Sequence, residues 1–157
     1  MLSQEPISLR FLRKSDLEFL YKIENDKSLW RYGSEKKTYS KDELLTYIEN
    51  SGIAIKNIKQ FRFVIDYNDS AIGFIDLFDY NITEVSIGLI IDEKYRSRGF
   101  AKKSINLIIK YCFNILCVKK LNSCVESSNI ISNNLFISCG FKLTKNKNNF
   151  NFYTFVK

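Results

Sequence analysis

Between residues 84 and 125 the hydrophobic pattern changes period twice, and that segment constrains the fold more than any other. Glu84 to Ile91 is a short apolar run that reads as a strand. After Gly99 the residues Ile105, Ile108, Ile109, Cys112, Phe113 and Leu116 recur at i, i+3, i+4 and i+7, the spacing of a helix of about four turns. Leu121 to Val125 is again a short strand. Strand, helix and strand in succession make a right-handed crossover, so the two strands must lie parallel in one sheet.

The remaining pattern surrounds that unit mostly with antiparallel strands. Ile7, Leu9 and Phe11 alternate with Ser8, Arg10 and Leu12 as a first strand. Ser15-Asp16-Leu17-Glu18 has the spacing of a capping box, in which hydroxyl and carboxylate satisfy orphan N–H groups reciprocally, and predicts a helix to about Asn25. Ser40-Lys41-Asp42-Glu43 predicts a second helix ending near Asn50 and Ser51, with Gly52 as a stop. Phe61 to Tyr67 and Ala71 to Phe78 flank the polar turn Asn68-Asp69-Ser70, and Asn81-Ile82-Thr83 sets off the strand from Glu84, which gives a three-strand meander. Further on, Ser128 or Asn129 caps a helix carrying Ile131, Leu135 and Phe136 and stopped by Gly140. Phe141 to Thr144, an Asn/Lys turn within Lys145 to Asn151, and Phe150 to Val156 form a closing hairpin. The expectation is one α/β domain over residues 1–157: a mostly antiparallel mixed sheet of about seven strands with about four helices, the parallel pair being the fourth and fifth strands.

Composition narrows the chemistry. The chain has no histidine, which removes Ser-His-Asp and Cys-His machines, His-bearing zinc sites and His acid–base catalysis. Cys112, Cys117, Cys124 and Cys139 form no Cys-x-x-Cys pair, so reduced, buried thiols and no metal site are expected. The first residues lack the apolar core of a secretion signal, and no run approaches the roughly 18 apolar residues of a membrane span. These features predict a soluble, cytoplasmic protein with no membrane partner. The net charge of +7 is uneven: residues 1–93 hold 12 basic and 16 acidic groups, −4, whereas residues 94–157 hold 12 basic groups and only Glu126, +11. Such asymmetry suggests one surface that handles an anion beside one that tolerates a cation, rather than nucleic-acid binding.

The anion side has a candidate in Asp92 to Lys103, DEKYRSRGFAKK, between the strand and the long helix. A glycine at a helix start lets the backbone approach a ligand closely, and the first amides together with the helix dipole favour negative charge there. Arg96, Arg98, Lys102 and Lys103 add four cations within eight residues. The segment is a phosphate cradle, but neither a Walker loop nor a Gly-x-Gly-x-x-Gly fingerprint is present.

Arg96-Ser97-Arg98-Gly99-Phe100-Ala101 resembles the Arg/Gln-x-x-Gly-x-Gly/Ala pyrophosphate signature of the GNAT superfamily of N-acetyltransferases. Downstream, Asn129, Ser132, Leu135, Phe136, Gly140 and Phe141 stand in the register of that family's Asn-x-x-Ala/Ser-x-x-Leu-Tyr…Gly-Phe motif. Phe61-Arg62-Phe63-Val64 and Tyr111 to Leu116 resemble the branch containing bacterial polyamine (spermidine) acetyltransferases and ribosomal-protein N-terminal acetyltransferases. The resemblance implies acetyl-CoA as acyl donor and a primary amine as acceptor: a polyamine, a protein N-terminus, an amino sugar or an aminoglycoside. It further implies that the backbone of Leu89, Ile90 and Ile91 pairs with the pantetheine arm and that amides from Arg98 through Gly99, Phe100 and Ala101 to Lys102 hold the pyrophosphate, with Arg96 and Ser97 completing the signature. Asn129 would bond the arm. A homodimer is a possible assembly for such a chain.

Amine attack on a thioester needs a proton acceptor, an oxyanion donor and a thiolate leaving group, with proximity supplying much of the rate. Without histidine the base candidates are carboxylates at the ends of the central strands: Glu84, Asp76 and Glu126. The family often has a tyrosine acid where this chain has Phe136, and a phenyl ring donates no proton. Phe136 then packs under the donor, and Ser138, Cys139, Tyr153, a water or no acid at all serves the leaving thiolate. By the same resemblance Trp30, Tyr32 and the carboxylates Glu24, Asp26 and Glu35 line the acceptor side, where rings and acids suit a cation. The Phe136 departure also raises an alternative, a non-catalytic acyl-CoA-binding module.

Overall fold

A computed structural model describes residues 2–4, 6–29, 37–52 and 60–157. Trp30, Tyr32 and Glu35 lie outside the described residues. The strands are β1 (Leu2–Gln4), β2 (Ile7–Phe11), β3 (Phe61–Tyr67), β4 (Ser70–Phe78), β5 (Glu84–Ile91), β6 (Lys120–Glu126), β7 (Lys142–Lys147) and β8 (Phe150–Val156). The α-helices are α1 (Leu17–Glu24), α2 (Lys41–Asn50), α3 (Phe100–Asn114) and α4 (Ile130–Ser138). One sheet runs in the order β1-β2-β3-β4-β5-β6-β8-β7, and within it only β5 and β6 pair in parallel. The short β1 is the strand beyond the expected seven.

Turn chemistry sets the register of the meander and of the closing hairpin. Asn68 and Asp69 have φ of 49° and 64°, and Asn148 and Asn149 have 54° and 66°. Two successive left-handed residues make the type I′ turn, whose twist matches that of the strands it joins. The closing turn is therefore only Asn148-Asn149, and Lys145 to Lys147, expected in the turn, belong to β7. Before β5, the Asn81 side chain accepts from the amides of Thr83 (2.9 Å) and Glu84 (3.0 Å), which stops the chain between β4 and β5.

The second capping box forms as expected, with Ser40 Oγ accepting from the Glu43 amide at 3.1 Å and Glu43 Oε1 from the Ser40 amide at 3.3 Å. The first does not. A short 3₁₀ turn (Lys14–Asp16) precedes α1, and it is Asp16 that accepts from the Arg13 amide at 2.9 Å. Arg10 draws that carboxylate inward with two bonds of 2.8 Å, so an ion pair outcompetes the hydroxyl cap.

The sheet is covered on both faces. Ile105, Ile108 and Cys112 of α3 pack on Ile65, Ile75 and Ile87, together with Phe136 and Phe141. On the other face Leu20 and Ile23 of α1 and Leu44 and Ile48 of α2 pack on Val64 and Phe74. Fully burying each such side chain is worth roughly 1.5–3 kcal/mol. Ile131, expected to anchor α4, is instead 79% exposed. Of the cysteines only Cys112 is buried, and burial pushes its thiol up to about 12; Cys117 and Cys124 are exposed and Cys139 is half-buried. No helix among the described residues is long and apolar enough to cross a membrane.

Candidate active site

Parallel strands β5 and β6 pair at three positions only: Glu84 with Lys120, Val85 with Leu121 and Ser86 with Asn122. Beyond them β5 continues to Ile91 and β6 to Glu126 without a shared ladder, so the sheet opens in a V. The far side of β5 stays paired to β4 up to Gly73 opposite Ile91. One edge of the Ile87 to Ile91 backbone therefore faces the V, where an extended amide-bearing arm can add like a strand. Leu89 leans on the α3 face and Ile90 on the α1–α2 face, and Ile91 is buried.

Gly73 holds this edge in place. A Cβ there would lie 2.3 Å from the carbonyl oxygen of Ile90, so only glycine lets β4 and β5 approach so closely. This requirement is invisible in a sequence, where Gly73 is one small residue inside an apolar strand.

The mouth of the V is closed by the turn into α3. The Asp92 amide bonds the Ile72 carbonyl at 2.8 Å, its buried carboxylate takes Lys22 Nζ at 3.0 Å, and Arg96 Nε donates to the Ile91 carbonyl at 2.9 Å. Ser97 (φ 61°) and Gly99 (φ 83°) are left-handed on either side of Arg98, which has negative φ. Alternation of this kind turns successive amides toward one point, an anion nest. A Cβ on Gly99 would meet no atom within 4 Å, so the space before the helix start is open. The amides of Phe100, Ala101 and Lys102 in the first turn of α3 have no intrahelical acceptor. The open glycine, the nest and these donors fit the phosphates of a coenzyme.

Arg98 contributes backbone to the nest while its side chain turns away. The guanidinium lies over Phe100 (4.9 Å to the ring centroid), Tyr67 (5.6 Å) and Tyr95 (5.7 Å). Lys102 is exposed and stands near Cys139 at the end of α4, where it works against the upward push of burial on that thiol.

On the other wall, Asn129 caps α4, its Oδ1 accepting from the Ser132 amide at 3.2 Å. Phe136 is 5% exposed, edge-on to Phe141 (5.1 Å) and stacked with Tyr153 (6.2 Å). It is a packing residue. The alternative hydroxyls are engaged: Tyr153 donates to Asn133 Oδ1 at 2.6 Å inside the core, and Ser138 donates to the Leu135 carbonyl at 2.7 Å.

The three candidate carboxylates stand at different depths. Glu84 sits at the closed end of the V and pairs with Lys120 at 2.8 Å. Glu126 ends β6 at the open end, where its side chain accepts from Ser128 Oγ at 3.2 Å. Glu84 is about 13 Å along β5 from Gly88, four residues at about 3.3 Å, and Glu126 is about 13 Å along β6 from Asn122, the last paired position. Asp76 is opposite Gly88 of β5, one strand away from the open edge.

Asp76 also belongs to a cluster centred on Arg62 that the sequence did not announce. Both its oxygens accept from Arg62, at 2.6 and 2.8 Å, and the same guanidinium donates to Glu24 at the end of α1 while lying 4.8 Å over the Phe74 ring. Burial disfavours the Arg62 charge, but Asp76 and then Glu24 more than offset this and hold its pKa well above the usual value. Tyr47 of α2 faces the group, and burial raises its hydroxyl. Two carboxylates around one guanidinium leave this three-residue cluster with a net −1. Arg62 was marked by its lone charge in apolar Phe61 to Ile65 and by the Phe61-Arg62-Phe63-Val64 resemblance, though neither gave its partners; nothing marked Tyr47 as one of them.

A family model described as an acetyltransferase (GNAT) domain matches residues 7–142. The spermidine N(1)-acetyltransferase of Vibrio cholerae serotype O1 is 30% identical over 138 residues, 86% of this chain and 78% of its own. That of Escherichia coli K12 is 25% identical over 148 residues, 91% of this chain and 76% of its own. Among solved structures, the spermidine N-acetyltransferase from Vibrio cholerae in complex with CoA and spermine has a TM-score of 0.83 at 24% identity, covering 98% of this chain and 96% of that one.

Proposed function

Since the chain belongs to the GNAT acetyltransferase family and is an acetyl-CoA-dependent N-acetyltransferase, we propose that its acceptor is a small polycationic amine of the spermidine type. The observation that carries this reading is the net-negative Glu24–Arg62–Asp76 cluster beside the strand that bounds the V. Relatives at 25–30% identity that are spermidine N(1)-acetyltransferases support the same acceptor.

Acetyl-CoA supplies the thioester. The nest from Ser97 to Gly99 and the first amides of α3 hold its phosphates, and Ile87 to Ile91 and Asn129 line its arm. Because the Asn129 cap uses Oδ1, its Nδ2 is the group left to donate to an arm carbonyl. A carboxylate has about four lone-pair positions. Arg62 occupies one on each Asp76 oxygen, so Asp76 and Glu24 retain acceptor capacity for an ammonium and orient it toward the V. Of the three carboxylates Asp76, opposite Gly88 and beside the amine, takes the attacking nitrogen's proton, directly or through a water. Glu84 and Glu126, held by Lys120 and Ser128, act at most at the two ends of the site. With Phe136 packed, Tyr153 and Ser138 donating to their neighbours and burial pushing the Cys139 thiol up, the thiolate leaves without a side-chain acid, which a thiolate tolerates better than an alkoxide.

The test is turnover of acetyl-CoA with a panel of amines, followed by thiol release and product mass. Spermidine or spermine should give the highest kcat/KM. Preferential acetylation of a peptide N-terminus, an amino sugar or an aminoglycoside overturns the acceptor assignment.

A further inference from the structure

Asn133 occupies a position in α4 where the helix faces the core, and it is 8% exposed. Its Nδ2 donates to the carbonyls of Glu126 (3.0 Å) and Asn129 (2.7 Å). Its Oδ1 accepts from Nδ2 of Asn151 (2.8 Å) and the hydroxyl of Tyr153 (2.6 Å). Two donors and two acceptor lone pairs are the whole capacity of a side-chain amide, and all are used. The network continues outward: Asn146 Nδ2 donates to Ser127 Oγ and to Asn151 Oδ1, each at 2.7 Å. One side chain thus ties the end of β6, the cap of α4 and strand β8 together.

The part so fixed is the turn from Glu126 to Asn129, the wall of the V that faces β5. An apolar residue at position 133 would need no partner of its own, whereas four hydrogen bonds on one side-chain amide specify one geometry of that wall. We propose that Asn133 is a positioning residue for acetyl-CoA: it sets the distance of Asn129 and its turn from β5, and so the width available to the pantetheine arm. The inference rests on the reading of Asn129 as an arm-binding residue.

Replacing Asn133 alone would strand the Tyr153 hydroxyl in the core, so the informative protein is Asn133→Leu/Tyr153→Phe, in which an apolar pair replaces the bonded pair. Melting temperature and CoA affinity by calorimetry are measured on the same samples, with Tyr153→Phe and Asn129→Ala alongside. The double variant should melt within a few degrees of the wild type yet bind CoA about tenfold more weakly. Its kcat at saturating acetyl-CoA and its KM for the amine should be unchanged. Tyr153→Phe alone should bind CoA normally, because Asn133 still grips the turn. Unchanged CoA affinity in the double variant, with a loss in Asn129→Ala, overturns the proposal and leaves the Asn129 reading standing; unchanged affinity in Asn129→Ala removes both. Asn146→Ala, at an exposed position, loosens the tie to Ser127 and keeps the proposal open to refutation if the buried variant does not fold. A loss of about threefold in CoA affinity is expected there, and none overturns the proposal.

Discussion

Gly99→Val separates the fold from the site, because the two costs have different origins. Gly99 has φ 83°, a region that costs an L-residue roughly 1–2 kcal/mol, more when it is β-branched. A Cβ there meets no protein atom within 4 Å, so no packing clash is added. For a domain of this size each kcal/mol shifts melting by about 2–4 °C, so a drop of about 2–8 °C is expected. Binding should suffer far more, since the new side chain stands in the space before the Ser97–Lys102 amides. Losing two hydrogen bonds to a charged group, at about 1.5–3 kcal/mol each, weakens CoA by at least 100-fold. Calorimetric titration with CoA and a thermal melt on the same sample read both quantities. Gly99→Ala, with less strain and a smaller obstruction, should fall between, and Gly52→Ala, remote in sequence and with nothing within 4 Å of its Cβ, should bind normally. A Gly99→Val protein that melts lower as expected but binds CoA within threefold of the wild type would refute the cradle.

Gly73→Ala should lower stability by about 1–3 kcal/mol and raise the KM for acetyl-CoA, because the methyl group must displace the Ile90 carbonyl 2.3 Å away; urea unfolding and steady-state kinetics check both. Asp76→Asn removes a charge in contact with the amine, worth between roughly 1 kcal/mol in water and 4 kcal/mol near a protein surface at about 4 Å between charges, so the KM for spermidine should rise at least several-fold. Its CoA affinity should not move. The Asp16 carboxyl should shape acid stability. Burial pushes it up, but bonds from Arg10 and the Arg13 amide outweigh this and hold it below the ordinary value. A lowered folded value means the contribution is fully present above about pH 4 and is lost as pH falls through the folded value. Asp16→Asn should therefore melt lower at pH 7 and show a flatter acid limb than the wild type in melts across pH 2–7.

What the sequence revealed divides along physical lines. The crossover from β5 through α3 to β6 was legible because its apolar periods are long and Gly99 punctuates them. The hairpin turns were legible because Asn and Asp are the residues that tolerate positive φ. The open helix start at Gly99 could be read from the glycine and its place between strand and helix, since a helix N-terminus carries its own chemistry. Where competition between local and distant partners decides, the reading failed: Ser15 lost the cap to Asp16 because Arg10, on another element, holds that carboxylate. The direction of the Arg98 side chain was illegible for the same reason, its aromatic platform being assembled from Tyr67, Tyr95 and Phe100. The Glu24–Arg62–Asp76 cluster spans 52 positions of chain and exists only once β3, β4 and α1 are packed. Membership in an acetyltransferase family also settles the choice raised by Phe136 in favour of an enzyme over a non-catalytic acyl-CoA-binding module.

A crystal structure with CoA and spermidine bound tests the site assignment most directly. The arm should lie between Ile87 to Ile91 and the Asn129 turn, the pyrophosphate on the amides from Ser97 to Lys102, and a spermidine nitrogen within hydrogen-bond distance of Asp76 or Glu24. Phosphates seated elsewhere, or an amine bound away from both carboxylates, would contradict it.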